Sequence, residues 1–106
     1  MSTKLRLGTL IFLALCALAT ARAQNGGKDV YTAKCQGCHG ATGMADTNMG
    51  KMLKVKPVTD ASVKKMNLTE MVDAVRNGMG KMQAYKGKLT DSQIKSSVEY
   101  FRTFAK

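Results

Sequence analysis

Residues 35–39 read Cys-Gln-Gly-Cys-His, and the histidine is the only one in the 106-residue chain. This pentapeptide constrains the fold more than any other feature. Two thiols three residues apart lie on one side of a helical turn, with an imidazole directly after them. Three chemistries use such a group: a redox dithiol, part of a zinc site, or an attachment point for a larger prosthetic group.

The start of the chain bears on the choice. Residues 1–23 read as an export leader, with Lys4 and Arg6 at the front, an apolar run from Leu7 to Ala19, and Ala21-Arg22-Ala23 as a small-residue cleavage site. The run falls short of the roughly 20 residues that cross a bilayer, so a retained anchor is the weaker reading. Acylation of Cys16 is weaker still, because the bulky Leu15 precedes it. The remaining residues, 24–106, form one small domain with 14 basic and 7 acidic residues. Exported proteins commonly oxidise spare thiols. A Cys35–Cys38 bridge, however, would close almost no chain and stabilise little, because the effect grows with loop length.

Hydrophobic volume is short. Residues 24–106 hold three leucines, one isoleucine, two phenylalanines and no tryptophan, beside seven valines, seven methionines and three tyrosines. A domain of this size is marginal even with a full core and commonly recruits a staple. A bound apolar cofactor would supply the missing volume.

The pattern predicts an all-α domain with three helices that stand out. The first covers about residues 28–38. The second follows Leu68, with Thr69 as N-cap, Leu68, Met71, Val72 and Val75 at helical spacing, and Gly78 as its end. The third opens on a Thr90/Gln93 capping box and carries Ile94, Val98 and Phe101 on one face. The basic stretch over residues 44–67 carries no assignable pattern, and residues 78–88, rich in glycine and lysine, read as a loop.

C-x-x-C-H is the attachment pattern of c-type haem. The thiols form thioethers to one porphyrin, and the adjacent imidazole meets the iron from one face. Ordinary residue frequencies give the pentapeptide in roughly one chain in a thousand of this length. A thioredoxin-like dithiol needs a βαβ unit, and no strand pattern is present. A structural zinc site needs four ligands, yet residues 24–106 offer only Cys35, Cys38 and His39 as Cys or His.

With these residues the chain resembles the monohaem class I c-type cytochromes. Gly27 and Tyr31 match a glycine and an aromatic of that family's first helix, Tyr100 or Phe101 matches an aromatic of its last, and Met82-Gln83-Ala84-Tyr85 matches its Met-Pro-x-aromatic loop. The likeness spans most of residues 25–106 and is weakest over 45–67. It implies a small three-to-four-helix cytochrome c fold around one haem c, attached through Cys35 and Cys38, with His39 and Met82 as the axial ligands of its iron. It also implies an exported carrier of single electrons that is not an enzyme, periplasmic in a bacterium. Met79 is the rival for the sixth position, while Met71 reads as core filler. Gln83 departs from the family's proline, which predicts a more mobile loop. Pro57 is a candidate to accept a hydrogen bond from His39 through its carbonyl.

Lys81, Lys86 and Lys88 flank Met82, and Lys51, Lys54 and Lys56 crowd the earlier connection. Such runs are often simply solvated; around a haem edge they would steer a monomeric carrier toward larger redox proteins with acidic docking faces. Nucleic acid is excluded as a partner by export, and weak association with an anionic membrane surface stays open. Two functions compete with the carrier. One is a haem sensor or ligand-binding protein with an open or labile sixth position; the other is a haem-free dithiol oxidoreductase.

Overall fold

The computed structural model describes residues 26–106, and the leader, with Cys16 and any anchor, lies outside them. Among the described residues six helical segments follow one another: α1 over residues 26–34, α2 Gln36–His39, α3 Asn48–Met52, α4 Ala61–Lys64, α5 Leu68–Asn77 and α6 Asp91–Thr103. These residues carry no strand, only isolated bridges between Met79 and Met82 and between Lys86 and Leu89. No helix among them is long and apolar enough to cross a membrane.

The all-α expectation holds, with six helical segments among the described residues in place of three to four and two further changes of detail. The first helix is interrupted at Cys35, whose carbonyl accepts from the N–H groups of both Cys38 and His39, at 3.2 and 3.0 Å. Residues 35–39 thus form a turn of their own instead of the tail of α1. The second helix is capped by Asn67, not Thr69: the Asn67 side chain accepts from Glu70 N–H at 2.8 Å, and Glu70 returns a bond to Asn67 N–H at 3.0 Å. Asparagine at this position brings the reciprocal glutamate to N3, which leaves Thr69 inside the first turn. Gly78 ends α5 and the Thr90/Gln93 box opens α6, both as predicted.

The periodic faces pack as their spacing requires. Met71, Tyr85, Ile94 and Val98 form the buried cluster, with Leu68, Val72, Val75, Met82, Leu89 and Phe101 against it. Each fully buried aliphatic side chain in such a core contributes roughly 1.5–3 kcal/mol. Arg76 pairs with Asp73 on its own helix and with Asp91 at the start of α6, which fastens the α5–α6 corner. At the other end of α6, Arg102 donates to the Met66 carbonyl at 3.1 Å.

A second packing centre joins α1 to α6. Tyr31, 1 % exposed, lies among Tyr100, Phe101 and Phe104, with ring centroids 5.4, 6.1 and 5.7 Å away. Tyr100 and Phe101, the two candidates for the aromatic of the last helix, both pack on Tyr31 of α1. Gly27 makes the crossing close, since a Cβ there would run into the Ser96 backbone.

Candidate functional site

The pentapeptide sits where three supports converge. Tyr31 donates from its hydroxyl to the Gly40 carbonyl at 2.6 Å, which fixes the residue after His39. Thr47 caps α3 by accepting from Gly50 N–H and donates to the Gly37 carbonyl at 2.7 Å. Gly50 approaches so closely that a Cβ would overlap the Cys38 carbonyl. The stretch after residue 44, patternless in the sequence, thus acquires a structural role, since its helix α3 braces the Cys35–His39 turn. Thr47 was detectable in principle, as a threonine one residue before a helix, but α3 is only five residues long and shows no periodicity.

Cys35 and Cys38 are unbridged and half-buried. Burial, reinforced by the neighbouring Cys38, pushes the Cys35 thiol up to about 11. A redox dithiol needs the opposite shift, toward thiolate at neutral pH. Among the described residues, no three His, Cys, Asp or Glu side chains group as a metal-ion site would require.

His39 packs edge-on against Phe101, with ring centroids 5.3 Å apart. Desolvation holds its pKa below the ordinary histidine value, so the ring is neutral and able to ligate a metal. Its Nδ1 is buried without a hydrogen-bond partner. The bond expected from Pro57 is not made: that carbonyl accepts from Asp60 N–H at 2.9 Å, closing the turn that leads into α4.

Met82 is half-buried against the core cluster, while Met79 is 59 % exposed. The two are paired across a tight turn, with Met79 N–H to Met82 C=O at 3.1 Å and the reverse bond at 2.9 Å. Met71 is buried as core filler. The lysines at 51, 54, 56, 81, 86 and 88 are all exposed.

These features suit a covalently held haem. Two unbridged thiols lie in one turn, a neutral imidazole follows them, and one of its nitrogens is an orphan inside the protein. Among the described residues, the large apolar side chains left exposed are Met44, Met49, Met52 and Met79, in a domain already short of core volume.

Comparison with known proteins gives a consistent result. The family described as cytochrome c oxidase, cbb3-type, subunit III matches residues 22–101. Cytochrome c6 of Leptolyngbya boryana is 41 % identical over 80 residues, which cover 76 % of this chain and 89 % of that protein. A cytochrome c6-like protein of Nostoc sp. is 30 % identical over 99 residues, 92 % of this chain and 86 % of that one. The solved structure of the c-type cytochrome KustC0563 superposes with a TM-score of 0.68 at 29 % identity, covering 76 % of this chain and 98 % of the other. The chain belongs to this cytochrome family: it is a small monohaem c-type cytochrome, a carrier of electrons to and from redox partner proteins through a covalently bound haem c, and not an enzyme.

Proposed function

We propose that Cys35 and Cys38 hold the haem by thioether bonds, that His39 and Met82 are its axial ligands, and that residues 1–23 export the chain to a compartment where it works as a monomeric one-electron shuttle. The haem supplies the redox couple. The observation that carries the Met82 assignment is the contrast within one turn: Met82 lies against the core, whereas its partner Met79 faces outward. His39 enters this role with its ring neutral through burial and its orientation limited by Phe101. Were His39 and Met82 both to ligate the iron, no coordination position would be left for a substrate, as a carrier requires.

Six exposed lysines give partner choice a physical basis: Lys81, Lys86 and Lys88 flank Met82 along the loop, Lys51 lies in α3, and Lys54 and Lys56 follow it in sequence. A positive rim raises encounter rates with acidic faces of larger redox proteins, and salt screens it.

The deciding experiment is a visible spectrum, oxidised and reduced, of the protein made in a host that attaches haem. A far-red methionine–iron band should be present in the wild type and in Met79→Ala, and absent from Met82→Ala. Loss of the band in Met79→Ala instead would move the ligand to Met79. Haem without the band in the wild type would favour the sensor, and a colourless protein with two free thiols would overturn the whole reading.

A further inference from the structure

The Met82 loop lacks the family's proline, yet the structure holds it in another way. The break at Cys35 directs the Cys38 N–H to the Cys35 carbonyl. In a continuous helix that N–H would serve the Lys34 carbonyl four residues back. Lys34 is thereby left with a free acceptor at the end of α1, directly before the first attachment cysteine. The Tyr85 hydroxyl donates to it at 3.1 Å, from a ring that is 8 % exposed and part of the buried cluster. Gln83 then continues the chain: its Nε2 donates to the Tyr85 hydroxyl at 3.3 Å, and its Oε1 accepts from Lys88 Nζ at 2.8 Å. Both ends of the Gln83 amide are engaged, and Met82 is its immediate neighbour.

We infer that Gln83 is a positioning residue for Met82, acting through the Lys88–Gln83–Tyr85–Lys34 relay in place of a proline's backbone restraint; this rests on the reading of Met82 as the axial ligand. The relay links the loop to the attachment segment across 51 residues of sequence. Met82 is restrained on both sides, by the Met79 pairing before it and by the relay after it. Cooperative hydrogen bonds of this kind resist local opening more than separate ones do. The expected mobility of a loop with glutamine at position 83 is therefore offset by the glutamine's own side chain.

The test is the rate at which imidazole binds the oxidised, haem-loaded protein at saturating concentration, where departure of the methionine limits the rate. Gln83→Ala should raise that rate about tenfold, as loss of one well-placed hydrogen bond predicts. Tyr85→Phe should raise it at least as much, and adding Gln83→Ala to Tyr85→Phe should add little, because both cut the same relay. Gln83→Pro should return the rate toward the wild type by stiffening the backbone without any side-chain bond. Guanidinium unfolding provides the control: Gln83 is exposed, so its alanine variant should lose no more global stability than the tenfold rate change itself represents, about 1.4 kcal/mol. An unchanged imidazole rate in Gln83→Ala would overturn the inference, as would a loss of global stability well beyond that of the rate change. If the wild type shows no far-red band, the Met82 reading fails and takes the positioning role with it. If the band is present and the Gln83→Ala rate is unchanged, only the relay fails.

Discussion

Gly27 and Ser96 meet backbone to backbone where α1 crosses α6, and a Cβ on Gly27 would overlap the Ser96 carbonyl. The two helices that carry the aromatic cluster are thereby held closer than any larger residue permits. Gly27→Ala must push them apart. Overpacking of this kind costs about 1–3 kcal/mol, from which alanine's better helix propensity returns about 0.5–1 kcal/mol. A net loss of about 1–2 kcal/mol is expected in guanidinium unfolding of the haem-loaded protein. Ser96→Ala should not rescue it, because the clash is with backbone.

Tyr31 connects stability to pH. Burial holds its phenol well above the ordinary tyrosine value of 10.0. Above pH 10 the unfolded chain gives up this proton while the native protein keeps it. The unfolded state then binds fewer protons, and stability falls as pH rises. Tyr31→Phe should flatten that decline. At neutral pH the same variant should be about 1–2 kcal/mol less stable, because the Gly40 carbonyl loses its donor. Guanidinium midpoints of both proteins from about pH 8 to 11 test the two effects together.

The caps can be ranked. Asn67→Ala should cost about 1 kcal/mol through loss of the α5 capping box, and Thr90→Ala a similar amount at α6. Thr69→Ala should change stability by less than about 0.5 kcal/mol, because Thr69 is exposed inside the first turn. Thermal unfolding of the three variants is sufficient, and a larger loss at Thr69 than at Asn67 would contradict the capping geometry.

Phe101 serves two neighbours, the imidazole of His39 and the ring of Tyr31. Phe101→Ala should cost about 3 kcal/mol or more by leaving a cavity between them. Phe101→Leu should cost distinctly less, because most of the volume stays. Equal losses in the two variants would mean that the aromatic edge, not the volume, holds this junction.

Much of this was legible in the residues themselves because the signals are local. The pentapeptide, the apolar faces of α5 and α6, the Thr90/Gln93 box and the Gly78 stop are all short-range patterns. Each lies within a few turns of chain and each recurs in the structure. The stretch over residues 44–67 was not legible because α3 and α4 span only five and four residues. Helices that short have no room for a hydrophobic period, and their caps, Thr47 and Asp60, resemble turn residues. The α5 cap falls at Asn67, two residues before the expected Thr69, for a related reason: asparagine and threonine both suit that position, and only the bond from Glu70 separates them.

Residue type and spacing were enough for the class of the fold and for a short list of candidate ligands, because those signals are local. Long-range packing chose which methionine of the 79/82 pair lies against the core, which aromatic meets His39, and that the Lys34 carbonyl, freed by the break at Cys35, is taken by Tyr85. These outcomes depend on groups brought together from distant parts of the chain, where packing and the need to satisfy each buried polar atom choose among partners that local spacing leaves equal.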